Sequence, residues 1–202
     1  MSVRKAPAEG LNVRQRLALF HGSGINAENA LTTSEDDITF DLMMRHGVKA
    51  LNIQAAGIRP MQLKRYGVTQ AAHMRRLDYD ALHLVDPVIC NEANAAFGAA
   101  DVIGAFLNSP QDAVALAGTE ATTILNLSVQ QLLEVCAGAP TEAISVLKQA
   151  NGEMPLRGVE VKVLLDTGIR APQLKQLGYG LASVREMAGV TSNDIGKLGF
   201  VL

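Results

Sequence analysis

The sequence predicts an all-α fold, a stack of short helices forming a repeat solenoid or a compact repeat bundle, and three observations carry that expectation. A twelve-residue segment recurs. Gly57-Ile58-Arg59-Pro60-Met61-Gln62-Leu63-Lys64-Arg65-Tyr66-Gly67-Val68 aligns with Gly168-Ile169-Arg170-Ala171-Pro172-Gln173-Leu174-Lys175-Gln176-Leu177-Gly178-Tyr179, identical at seven of twelve positions. Around both copies, corner residues step by ten or eleven: Gly47, Gly57, Gly67 and Asp78, then Gly158, Gly168, Gly178, Gly189 and Gly199. Between corners the pattern holds an apolar residue after the Gly, often a capping residue next, a Leu-type residue six after the Gly, and another apolar residue before the next corner. Gly189, Val190, Thr191, Ile195 and Leu198, ahead of Gly199 and Phe200, form the last complete unit.

Each position in the unit has a physical reason. A left-handed Gly closes one helix, the following apolar side chain packs back on it, and Thr or Ser caps the next helix. Each unit is then one helix of about six or seven residues and one tight corner. Helices that short do not persist alone, because nucleation costs more than so few hydrogen bonds return, so each unit depends on its neighbours.

Taken along the chain, residues 1–36 form an N-terminal arm and leading helix, and 37–202 a helical repeat domain that is regular over 37–87 and 158–202 and irregular over 88–157. The frame begins at Asp37-Ile38-Thr39, with Met43 and His46 in the apolar slots before Gly47 and the acids of Ser34-Glu35-Asp36-Asp37 near a helix start. Asp37, Asp78 and Asn126 are expected to replace Gly at corners, since Asp and Asn tolerate the left-handed region best among residues with a side chain. In the irregular middle, Val129 to Ala137 and Thr141 to Gln149 have the periodicity of longer helices. Val159-Glu160-Val161-Lys162-Val163 alternates like a strand, yet Gly158, Val159, Leu164 and Gly168 keep the repeat frame, which favours a helix.

Composition agrees. The 202 residues carry 18 Lys+Arg against 20 Asp+Glu, a net charge of −2, with 48% hydrophobic and 4% aromatic residues and no Trp. Such a chain can bury a core of Leu, Val, Ile, Ala and Met but is poor in stacking platforms for single-stranded nucleic acid. The Met-Ser-Val-Arg-Lys-Ala-Pro start has no long apolar run behind it and no stretch approaches a membrane span, so a soluble intracellular protein is expected, or a virion component if viral. Cys90 and Cys136, 46 positions apart, are expected as buried, inert thiols.

The run Leu174-Lys175-Gln176-Leu177-Gly178-Tyr179, with Val184-Arg185-Glu186-Met187-Ala188-Gly189-Val190-Thr191 and Lys197-Leu198-Gly199-Phe200, resembles the short Gly-punctuated helical tandem repeats of proteins from large DNA viruses, algae and protists. The likeness covers residues 37 to 86 and 158 to 200, about half the chain. It implies a scaffolding or interaction module, with a minor capsid component as one setting, and it brings no catalytic residue.

Signals for chemistry are weak. His21-Gly22-Ser23-Gly24-Ile25-Asn26 lacks the Gly-Lys-Ser/Thr ending of a phosphate loop and reads as a loop leading into a helix. Asp78-Tyr79-Asp80 with Asp86 lacks the further oxygen ligands of a calcium loop, and His21, His46, His73 and His83 include no pair four apart. Thr39, Thr69, Ser128 and Thr191 follow corners, where capping accounts for them. No catalytic residue, cofactor or metal is expected, and the protein is read as a non-enzyme.

Charge distribution stands out against that background. Residues 1 to 76 carry eleven Lys+Arg and six acids, whereas residues 77 to 147 hold nine acids and no Lys or Arg. Lys49 and Arg59 are ten apart, as are Arg65 and Arg75, so in a ten-residue repeat they recur at the same place on successive units. Lys49, Arg59, Lys64, Arg65, Arg75 and Arg76 are therefore the candidate protein-interaction residues, a basic ladder for an acidic partner or for the acidic middle of another copy. The function expected is structural: protein–protein contacts in a larger assembly, with no membrane and no small-molecule substrate. The alternative is a nucleic-acid-associated module using the same ladder.

Overall fold

A left-handed residue after a helix lets two otherwise unpaired carbonyls be satisfied at once, and this chain uses that geometry repeatedly. The computed structural model describes residues 10–85, 97–150 and 156–201, and there all regular structure is helical, with one isolated bridge between Glu160 and Ala188. At Gly47 the corner N–H donates to Met44 O (3.2 Å) and the next N–H, of Val48, to Met43 O (2.9 Å). The same pair of bonds forms at Gly57/Ile58, Gly67/Val68, Asp78/Tyr79, Asn126/Leu127, Gly178/Tyr179 and Gly199/Phe200. This is the Schellman arrangement, and its accompanying apolar contact is present too: Val48, Ile58, Val68 and Tyr79 are buried, as are Met43, Ile53, Leu63 and Met74 on the helices they close.

The chain divides into two compact units, Met1–Val102 and Ile103–Leu202. The first holds α1 (Val13–Leu19), α2 (Ala27–Thr32), α3 (Phe40–Arg45), α4 (Ala50–Ala55), α5 (Pro60–Leu63, continued by a 3-10 turn to Tyr66), α6 (Ala71–Arg76) and α7 (Leu82–Val85). Helix α8 (Ala99–Phe106) straddles the division. The second holds α9 (Pro110–Leu116), α10 (Glu120–Ile124), α11 (Val129–Glu134), α12 (Pro140–Gln149), α13 (Val161–Asp166), α14 (Ala171–Gln176), α15 (Leu181–Arg185) and α16 (Ser192–Leu198).

Helix starts follow local chemistry. Asn12, Asn26, Thr39, Ser109, Ser128 and Thr191 each accept an N–H of the first turn through the side chain. Lys49, Arg59 and Arg170 cannot accept, and there the third helical residue reaches back: Asn52 Oδ1, Gln62 Oε1 and Gln173 Oε1 take the N–H of the capping position at 3.0, 2.8 and 2.8 Å. Pro at the first helical position of α5, α9 and α12 loses no intrahelical bond.

Contacts between successive repeats follow a second, longer period. Within the first unit α1 packs on α4, Ala50 N–H donates to Leu77 O (2.6 Å), and Asn52 Nδ2 donates to His21 O (2.9 Å). Within the second, α9 packs on α12 and α13 on α16, Gly138 N–H donates to Asp166 O (2.8 Å), and Ala188 N–H donates to Val159 O (3.2 Å). Each partner lies about thirty residues along, so a short helix stacks on one two or three helices later, as α11 does on α13 and α13 on α16. Six residues after Gly47, Gly57, Gly158, Gly168 and Gly178 the side chain faces inward. Ile53, Leu63, Leu164, Leu174 and Val184 have no solvent exposure, and each such side chain contributes roughly 1.5–3 kcal/mol by leaving water.

Several expectations are corrected. Asp37 is not left-handed: it ends a 3-10 turn, Glu35–Asp37, whose short ring needs no left-handed residue, while Asp78 and Asn126 do adopt positive φ, 64° and 52°. Thr69 does not cap α6, because Gln70 holds that position and the Thr69 N–H donates to His73 Nδ1 at 3.3 Å. The helix favoured over a strand for residues 159–163 is present: Val161 begins α13, with Glu160 ahead of it. Helix α11 stops at Glu134, short of the expected Ala137, before the left-handed Gly138. In the middle of the chain Gly118 and Gly138 join Asn126 as left-handed corners, at steps of eight and twelve residues rather than the ten or eleven of the regular units. Residues 1–36, expected as an N-terminal arm and leading helix, include α1 and α2, and α1 packs on α4.

Candidate functional site

The six ladder residues occupy three environments. Lys49 Nζ is 3.0 Å from Asp78 Oδ2, so the first rung is neutralised by the first acid of the base-free stretch. Lys64 and Arg76 stand over aromatic rings, at 5.4 Å from the Phe97 centroid and 5.1 Å from that of Phe40, which also stacks on His73 at 4.3 Å. Arg75 is on the exposed side of the last turn of α6. Only Arg59 and Arg65 are brought together at a concave surface.

That surface is a cleft of about 450 Å³ lined by Gly10, Leu11, Asn12, Gln15, Gly57, Arg59, Gln62, Arg65 and Tyr66. Its walls are the first turn of α1 and the corner and helix of the Gly57 unit. The capping bonds of both walls set its chemistry. Asn12 Oδ1 accepts the Gln15 N–H and Gln15 Oε1 the Asn12 N–H, both at 3.0 Å, while Gln62 Oε1 accepts the Arg59 N–H. The acceptor oxygens of all three carboxamides are thus engaged in capping, in a cleft that Arg59 and Arg65 also line. Buried Tyr66 donates its hydroxyl to Glu35 Oε1 at 2.9 Å. Burial and that carboxylate together push its phenol up to about 12, so it stays protonated throughout the physiological range. A Cβ at Gly10 would meet the Glu35 carboxylate, the flexible end of that side chain, which would have to shift.

A second concavity lies between α1 and α4, lined by Leu17, Ala18, His21, Leu51, Asn52 and Ala55, with Leu51 79% exposed. Sequence reasoning missed both concavities. Leu51 occupies an outward position of the repeat unit, which the sequence pattern marks as variable, and the cleft joins residues about fifty apart.

The other sequence candidates have local roles. Asp80 Oδ1 accepts the His83 N–H at 2.9 Å and contacts His83 Nδ1 at 2.7 Å, and Asn26 caps α2 after the Gly22–Gly24 loop. Cys136 is buried, with its thiol pushed up to about 11, mainly by burial and further by Glu142. Cys90 and Asp86 lie outside the described residues. Among the described residues no three His, Cys, Asp or Glu side chains gather as a metal site, and no helix is long and apolar enough to cross a membrane.

The fold and these surfaces define an all-α protein of helical-repeat architecture. No family model, curated protein or solved structure matches the chain.

Proposed function

We propose that this protein is a non-enzymatic scaffold that joins other proteins in a larger assembly. The observation that carries the reading is a repeat whose corners hold the backbone while exposed positions differ between copies. Gly57, Ile58, Arg59, Gln62, Leu63, Lys64 and Gly67 recur at Gly168, Ile169, Arg170, Gln173, Leu174, Lys175 and Gly178, whereas Pro60, Met61, Arg65, Tyr66 and Val68 become Ala171, Pro172, Gln176, Leu177 and Tyr179, Met61 and Arg65 being exposed. Corners and helix caps fix the backbone, and such exposed positions are left to select a partner. The uncovered apolar groove between α1 and α4 supports the same reading.

The basic ladder carries less than its spacing suggests. Eleven basic and eleven acidic residues fall within the first unit, and Lys49 is paired inside it. That balance favours a protein partner over a polyanion, and the resemblance to viral and protist repeats makes a capsid one setting for it. Chemical cross-linking in the native source, followed by purification and mass spectrometry, tests the proposal. A stoichiometric protein neighbour is expected, whereas bound polynucleotide or a turned-over metabolite as the main companion refutes it.

A further inference from the structure

The chain contains its own comparison for the apolar groove between α1 and α4. The corners Gly47, Gly57, Gly67 and Asp78 have counterparts, at one constant offset, in Gly158, Gly168, Gly178 and Gly189, and the bond from Ala50 N–H to Leu77 O (2.6 Å) recurs from Val161 N–H to Ala188 O (3.4 Å). Helices α4 and α13 are therefore equivalent parts of two copies of one coil. The outward positions of α13 hold Lys162 and Asp166, paired at 2.7 Å, and the same positions of α4 hold Leu51 and Ala55. The helix packed on each follows suit. Helix α11, on α13, carries Gln130 and Glu134 bonded at 3.0 Å, whereas α1, on α4, exposes Val13 (62%) and Leu17 (37%), and Leu17 shares the groove with Leu51 (79%). The repeat frame thus accepts a solvated polar surface here, and the apolar one needs another reason.

Charge and spacing identify what covers it. Helices α1 and α4 contain Arg14 and Arg16 and no acid. Arg16 donates from Nε to Leu11 O and from Nη1 to Thr33 O. Arg14 is exposed, stands three and four residues before Leu17 and Ala18 on the groove face of α1, and among the described residues pairs with no carboxylate. This face set against itself offers Arg14 no acid. The base-free stretch 77–147 offers the complement: among its described residues the exposed large apolar side chain is Ile124 (45%), and Glu120, exposed four residues earlier in α10, lies on the same side of that helix. Charge and apolar anchor are one turn apart on both faces, Arg14 before Ala18 and Glu120 before Ile124. With α10 laid along α1 in the same direction, Ile124 enters the groove as Glu120 meets Arg14. We infer that the α1–α4 groove receives α10 of a second copy of this chain. The contact joins two different faces, so it builds rings or open chains of copies in place of two-fold pairs. It goes beyond the scaffold reading and does not depend on it.

Sedimentation velocity of the full chain over a concentration series tests this. The wild type is expected to grow beyond a dimer as its concentration rises. Leu51→Asp and Ile124→Lys each replace an apolar anchor by a charge that its new neighbour repels, and each is expected to weaken association at least about tenfold. Both side chains are exposed, so both variants are expected to melt with the wild type; Leu51→Gln and Ile124→Gln act in the same direction and serve where a charge lowers the melting temperature. Mixing the two variants is decisive. The Ile124→Lys chain keeps its groove and the Leu51→Asp chain keeps its α10, so together they are expected to form a one-to-one complex and nothing larger. Arg14→Glu is expected to weaken association, and Arg14→Glu with Glu120→Arg in one chain to recover it. A wild type still monomeric at about 1 mM overturns the inference. It is equally overturned by association that stops at a dimer, by association that survives Ile124→Lys, or by a mixture of the two variants that stays monomeric. Self-association can fail while a foreign neighbour is found by cross-linking, and the reverse, so this contact and the scaffold reading fail separately.

Discussion

Replacing Gly118 by Ala should be distinctly more damaging than replacing Gly168, although both are left-handed corners of the second unit. At Gly168 (φ +86°) an added Cβ meets nothing nearer than Pro140 Cδ at 3.8 Å, an ordinary contact. The cost there is the left-handed backbone alone, about 1–2 kcal/mol for a residue with a Cβ. The smaller unfolded-state entropy of Ala offsets about 0.4–1 kcal/mol of it. At Gly118 (φ +72°) the same Cβ sits 2.6 Å from Gln149 O, with the carbonyl carbon at 3.3 Å. The deficit is about 0.7 Å against a normal carbon–oxygen separation of roughly 3.3 Å. The carbonyl is poorly placed to yield, because Gln149 ends α12 and its carboxamide, oriented as a donor, reaches Ala117 O at 2.9 Å and Val114 O at 3.0 Å. Overpacking of this kind adds about 1–3 kcal/mol, so the expected losses are about 1 kcal/mol for Gly168→Ala and about 2–4 kcal/mol for Gly118→Ala. Urea unfolding followed by far-UV circular dichroism measures both through the midpoint at constant slope. Equal losses, or a milder Gly118→Ala, would refute the close approach of the Gly118 corner to the end of α12.

Leu174→Ala, in the fully buried slot six residues past Gly168, should cost about 2–5 kcal/mol in the same titration, and an unchanged midpoint would place that side chain outside the core. Lys49→Ala should change stability by less than about 1 kcal/mol, because both partners of the Lys49–Asp78 pair are about half exposed and screened by solvent; a larger loss would mean the pair is shielded from water. In a Cys90→Ser background, Cys136 should resist a thiol-specific disulfide reagent at mildly alkaline pH and react on unfolding, since burial holds the thiol up to about 11; rapid reaction of the folded chain would contradict that burial. The Asp194 carboxyl, which accepts from the Thr191 hydroxyl and N–H and faces Lys197, should titrate below the ordinary value of 3.8. Its folded-state pKa is depressed, so the contribution of this cap to α16 is present above the unfolded value and is lost as pH falls through the depressed one. A carbon-detected NMR titration checks the sign, and an ordinary or raised midpoint would count against the capping geometry.

The repeat and the surface divide the labour of this protein. A unit of ten or eleven residues carries its own stop, start and core contact, so backbone geometry survives wide variation at the outward positions. The pair Arg59 and Arg170 illustrates the result. Their units are matched over seven of twelve residues, yet one guanidinium lines a cleft and the other bonds its own chain.

Helix existence, corner placement and core slots were legible in the sequence because each depends on neighbours within about seven residues. Gly at a left-handed corner, the apolar residue after it, and Leu174 or Leu63 six residues on follow from local sterics and period alone. Asp78 and Asn126 were recognisable by the same rule, whereas Asp37 misled, since a 3-10 turn satisfies the chain end without a left-handed residue. The thirty-residue stacking of units was not legible. It depends on the angle at which one short helix leaves each corner, and a few degrees there decide whether the third or the fourth unit closes the coil. The cleft is a product of that stacking: capping bonds on Asn12, Gln15 and Gln62 are local, but their meeting with Arg59 and Arg65 across about fifty residues is not. Charge read along the chain showed an opposition between residues 1–76 and 77–147, and tertiary structure dissolved part of it by folding Asp78 onto Lys49. Local rules specify which residues are buried and where helices turn, while side chains distant in sequence share a surface only when the closed packing of several units brings them together.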